Sequence, residues 1–83
     1  MDADFRSEIE NKTAAVLKTR AVAIDDGMPL AQIRGWDSVR FMKLLLLLET
    51  EWEVRFEAFE VARLETWGEL LHLLFAKKNL SKP

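Results

Sequence analysis

The chain contains no cysteine, which excludes a disulfide framework, a thiolate zinc site and a cysteine nucleophile, and leaves the redox compartment unconstrained. Histidine is nearly absent as well, His72 being the only one. A hydrolytic triad needs a base beside its nucleophile. No nucleophile-elbow pattern surrounds Ser38, and His72 stands far from it in the sequence, so no catalytic site is expected. Glu69 and His72 do spell Glu-x-x-His, but a di-iron bundle needs a second copy of that motif and a second histidine. Asp25, Asp26 and Gly27 lack the spaced acids and terminal Glu of a calcium loop and read as a turn, so no metal site is expected.

An excess of positive charge is also missing. With 12 basic and 14 acidic residues the net charge is −2, and there is no basic stripe to meet a phosphate backbone, which excludes nucleic acid as the expected partner. The longest apolar run, Leu44 to Leu48, is far too short to span a bilayer, and Asp2, Asp4, Arg6 and Glu8 occupy the place of an apolar signal segment. A cytoplasmic location is the default expectation. With three glycines and two prolines, no linker, repeat or low-complexity tract stands out. What remains is one folded domain over residues 1–83, 49% hydrophobic and 31% charged, with a core about 4–79 and a frayed tail at 80–83.

Helical spacing dominates the pattern. From about Asp4 to Arg20, Phe5, Ile9, Val16 and Leu17 form an apolar side, with Arg6, Glu10, Lys12 and Lys18 available for the wet one. The long connection that follows is itself apolar at Ile24, Met28, Leu30 and Ile33, so it is expected to pack on the bundle, with one helical turn between Pro29 and Gly35. Glu53 to Glu57 alternates like a strand but has no partner strand, and reads as an extended connector pushing Val54 and Phe56 inward. Ala58 to Leu64 is predicted as a short third helix burying Phe59 and one of Val61 or Ala62. In the last element Thr66 and Glu69 fit a capping box, and Trp67, Leu70, Leu71, Leu74 and Phe75 supply the apolar face. Lys77 and Lys78 then suit the negative end of that helix, which is expected to stop near Asn79.

The stretch Gly35-Trp36-Asp37-Ser38 opens the second helix, predicted to run through Trp52. Asp37 and Ser38 are good N-cap types, so Ser38 belongs at a helix N-terminus, where unpaired N–H groups and the positive dipole end favour a phosphate ester. A plain capping serine would satisfy the same pattern. At about 100° per residue, Phe41, Leu44, Leu45, Leu48 and Trp52 share the core face. Val39, Met42, Lys43, Leu46 and Thr50 fall opposite. An ordinary surface helix is polar there, so this stripe is either covered by another helix or left open for a partner.

Gly-Trp-Asp-Ser-Val, the helix phase, the Leu48-Glu49-Thr50-Glu51-Trp52 end and the downstream Thr66-Trp67-Gly68-Glu69-Leu70 together resemble the acyl carrier protein family, specifically its discrete Trp-Asp-Ser type. The resemblance implies an all-α bundle of three main helices and one short one, with a long packed loop between the first two. It implies that Ser38 is the attachment site of 4′-phosphopantetheine, transferred from coenzyme A by a phosphopantetheinyl transferase, within the motif Gly35, Trp36, Asp37 and Val39. It further implies a carrier with no catalytic site, holding acyl or aminoacyl groups as thioesters for a loading enzyme and downstream synthases, and expected to be a monomer. Val39, Arg40, Met42, Lys43 and Leu46 match positions where such carriers dock partners. Val39 stands where the family usually has Leu. Arg40 and Lys43 replace acidic residues usual in fatty-acid-synthesis carriers, which points to a specialised polyketide, aminoacyl or related pathway. A non-catalytic helical interaction module, or a carrier fold that does not take the arm, would use the same face without needing Ser38.

Overall fold

The computed structural model describes residues 3–18 and 24–80, with the side chains of all but 3, 79 and 80. Among these described residues four α-helices follow in order, α1 (Ala3–Leu17), α2 (Ser38–Trp52), α3 (Ala58–Ala62) and α4 (Trp67–Leu80), with one 3₁₀ turn (Leu30–Gln32) before α2. The turn falls in the interval expected between Pro29 and Gly35. None of the described helices is long and apolar enough to cross a membrane.

Helix α1 buries Phe5, Ile9, Thr13 and Leu17, a four-residue repeat that keeps one side of the helix inward. Burying each large apolar side chain contributes about 1.5–3 kcal/mol. The helix stops earlier than its periodicity suggests, because Lys18 turns left-handed at φ 56° immediately after Leu17. Arg20, the expected end, lies outside the described residues. Phe5 sits edge-on between Trp52 at 5.7 Å and Phe75 at 5.6 Å, tying α1 to the ends of α2 and α4.

The connection before α2 packs as its apolar residues require. Leu30 and Ile33 are buried, and Ile24 and Met28 pack against the core. Arg6 holds this loop to α1 by pairing with Asp26 and donating to the Ile24 carbonyl at 2.7 Å, while Glu10 accepts the Ile24 N–H at 2.9 Å. The loop also caps α4. Met28 and Asp26 offer carbonyls to the Trp67 and Gly68 N–H groups at 2.9 Å each, satisfying donors that a helix start leaves open. Residue 68 must be small for this contact, since a Cβ there would stand 2.9 Å from the Asp26 oxygen.

Helix α2 buries Leu44, Leu45 and Leu48, with Phe41 and Trp52 packed at the margin of the core. Glu53 ends it in the left-handed conformation, φ 53° and ψ 47°, and Val54 and Phe56 turn inward from the extended connector. Helix α4 begins with the expected capping box, Thr66 N–H donating to Glu69 at 3.0 Å and Glu69 N–H to the Thr66 hydroxyl at 3.3 Å. It extends to Leu80, one residue past the expected end, and residues 81–83 of the expected tail lie outside the described chain.

One expectation fails in α3. Phe59 is 63% exposed rather than buried, and Ala62 is exposed too, while Val61 and Leu64 pack on the core. A five-residue helix offers a single inward face, and at about 100° per residue Phe59 points roughly opposite to Val61. The helix is pinned by its ends: Glu60 accepts the Glu57 N–H at 2.8 Å and pairs with Lys77 of α4 at 2.7 Å.

Candidate functional site

The start of α2 divides its work between two adjacent side chains. Asp37 is the N-cap, extended at φ −153° and ψ 169°, and its Oδ1 accepts the Arg40 N–H at 2.8 Å. Ser38 is therefore the first helical residue rather than the cap. It is exposed, and its hydroxyl has no hydrogen-bond partner among the described residues. The alternative of Ser38 as a plain capping serine is thus replaced by Asp37 in that role.

The turn leading in is tightly set. Gly35 adopts φ +83°, which favours glycine, and its backbone runs against the end of α1. Trp36 donates its N–H to the Ile33 carbonyl at 3.0 Å, and its ring lies 4.5 Å from that of Phe41 across an angle of 36°. The half-buried Trp36 thereby fastens the turn to the first turn of α2, leaving Asp37 and Ser38 outside.

The apolar stripe faces outward. Val39, Met42 and Leu46 are 65%, 54% and 58% exposed, and Lys43 and Thr50 lie exposed beside them. No described helix covers this face, so the stripe is exposed rather than buried under a neighbour. Arg40 differs from Lys43. Its guanidinium turns back toward the motif, donating to the Gly35 carbonyl at 2.9 Å and reaching the Leu17 carbonyl at 3.5 Å, with Nε 3.5 Å from Asp37 Oδ2.

Between α2 and α3 the stripe borders a groove of about 420 Å³, lined by Met42, Leu45, Leu46, Phe56, Val61 and Glu49 among others. Sequence reasoning names Met42 and Leu46 but misses the groove, because Val61 and Phe56 reach it only through the connector and α3. Glu49 sets that connector by accepting the Phe56 N–H at 2.8 Å. No local pattern marks that contact, which spans seven residues.

His72 is exposed on α4, and Glu69 is committed elsewhere, accepting N–H groups from Glu65 at 2.7 Å and Thr66 at 3.0 Å. Those donors hold the Glu69 carboxyl below its usual range, Glu65 first and Thr66 next. Glu-x-x-His is here a cap beside an exposed imidazole.

The residues present suit a phosphodiester at Ser38. The first-turn N–H groups of Ser38 and Val39 precede any intrahelical partner, and Ser38 itself is exposed. The charge of Asp37, which would oppose an anion, is paired with Arg40.

No family model and no curated protein matches the chain. Among solved structures it is similar to the solution NMR structure of a holo acyl carrier protein from Geobacter metallireducens, with a TM-score of 0.79 and 22% sequence identity over 88% of this chain and 84% of that one. The fold is an all-α, acyl-carrier-protein-like bundle.

Proposed function

We propose that the chain is an acyl or aminoacyl carrier in which Ser38 Oγ bears 4′-phosphopantetheine. The observation that carries this reading is the division of labour at the start of α2: Asp37 makes the cap, and the Ser38 hydroxyl is left exposed at the first helical position. A serine so placed is open to the active site of another protein. In the transfer, Ser38 Oγ forms a bond to phosphorus, the pyrophosphate bond of coenzyme A breaks, adenosine bisphosphate leaves, and the serine proton passes to the phosphopantetheinyl transferase.

Once bound, the arm supplies the thiol that this cysteine-free chain lacks, and with it thioester chemistry. The chain's own residues do the positioning. The N–H groups and dipole at the start of α2 stabilise the phosphodiester charge, by about 0.3–1 kcal/mol at an exposed site. Val39, Met42 and Leu46 offer an apolar docking face with Lys43 beside it, and the adjoining groove is suited to shelter an apolar cargo. Tethering raises the effective concentration of cargo at each docked enzyme, so the carrier contributes proximity while partners do the chemistry.

A cation at Lys43 favours partners with an acidic docking face, which supports a specialised pathway over housekeeping fatty-acid synthesis. The competing interaction-module reading draws on the same exposed stripe and differs in having no use for Ser38. Transfer of the arm from coenzyme A, read as a mass gain that disappears in Ser38→Ala, tests the proposal.

A further inference from the structure

We propose that Arg40 is the positioning residue of the attachment turn, a strut that locks the turn leading into Ser38 to the C-terminal end of α1. Its consequence for arm transfer rests on the carrier reading. The strut itself does not.

Arg40 is misplaced for its own helix. A cation in the first turn faces the positive end of the dipole, and α2 offers it no acid within that turn, only the N-cap Asp37 just before it. Helix α1 has the complementary defect, with no basic residue in its last turn. Its final carbonyls have no intrahelical partners and carry the negative end of the dipole. The guanidinium of Arg40 serves both helices by reaching the Leu17 carbonyl at 3.5 Å, the last residue of α1.

Two further anchors lie in the motif. Nη1 donates to the Gly35 carbonyl at 2.9 Å, and Nε faces Asp37 Oδ2 at 3.5 Å. One planar group thus ties together the end of α1, the residue three before Ser38 and the residue just before it. The close approach depends on Gly35 having no Cβ, since one there would stand 2.5 Å from the Leu17 oxygen. A lysine ammonium on its flexible stem is a point donor and does not reproduce a rigid fork aimed at three acceptors. Arg40 is therefore spent inward, and the docking charge of α2 falls to Lys43.

Two measurements on Arg40→Ala and Arg40→Lys test this, with folding checked by helical circular dichroism. On the unmodified protein, backbone order parameters at residues 34–38 are expected to fall in both variants from about 0.85 to below about 0.6. With a broad-specificity transferase and coenzyme A, kcat is expected to fall about tenfold with KM within about twofold, and lysine recovers little of it. Unchanged order at 34–38 overturns the strut. So does a rise in KM at constant kcat that lysine restores, the signature of a docking cation. Should Arg40→Ala fail to fold, Arg40→Lys decides by the same readouts. If wild type takes no arm at all, the carrier reading falls, and the order parameters still decide the strut.

Discussion

A Cβ on Gly35 would stand 2.5 Å from the carbonyl oxygen of Leu17, so the turn before Ser38 and the end of α1 meet backbone to backbone. The obstruction is main chain on a helix end, which has no rotamer to escape into. Gly35→Ala adds a strained φ of +83° to this overlap and is expected to destabilise the fold by about 2–3 kcal/mol. Thermal melts should show a loss of roughly 8–24 °C. A loss under about 4 °C would mean that the loop gives way without disturbing the bundle.

Thr13 is fully buried on α1, and its hydroxyl finds no hydrogen-bond partner among the described residues. Thr13→Val keeps the shape and removes the unpaired oxygen, so it should stabilise the chain by about 1 kcal/mol. Denaturant titration measures this, and a clear destabilisation would imply that the hydroxyl is hydrogen-bonded through water.

Acid should weaken the α3–α4 corner. The Glu60 carboxyl is held low first by its hydrogen bond from Lys77 and then by the Glu57 N–H, and Glu69 is held low by the N–H groups of Glu65 and Thr66. A carboxyl depressed by folding contributes stability that is fully present above its ordinary value of 4.5 and is lost as pH falls through the lower folded value. Melting temperature should therefore hold steady from about pH 7 to 5 and drop below about pH 4.5. The Glu60→Gln, Glu69→Gln double variant should start lower and fall less on acidification. An unchanged acid limb in that variant would place the effect on other groups.

Leu46 is 58% exposed on the outer face of α2. Leu46→Asp should change stability by no more than about 0.5 kcal/mol. Loading by a cognate enzyme should slow about tenfold, as expected when one apolar anchor leaves an interface. Global unfolding of the variant would instead make Leu46 part of the core.

The helices, the packed loop and the second apolar stripe of α2 were legible because each rests on short-range periodicity or capping, whereas the exposure of that stripe depends on how the other helices pack. Leu44, Leu45 and Leu48 define their face within a single turn, and Thr66 with Glu69 spells its own cap. Phe59 misled because a one-and-a-half-turn helix has too little sequence to fix its phase, so hydrophobicity alone sent the largest side chain inward. Thr13 hid in the opposite way, a polar residue on the four-residue repeat of a buried stripe. At the site, Asp37 and Ser38 were both recognisable as caps, and only the backbone geometry assigns the role to Asp37. The inward turn of Arg40 depends on Leu17, 23 residues away, a relationship that no local pattern encodes.

The central claim is that Ser38 bears the arm. The unmodified protein and its Ser38→Ala variant should be incubated with coenzyme A and a broad-specificity transferase and weighed intact. The account predicts one phosphopantetheine added to the wild type and none to the variant. No gain on the wild type, or an equal gain on the variant, would contradict it.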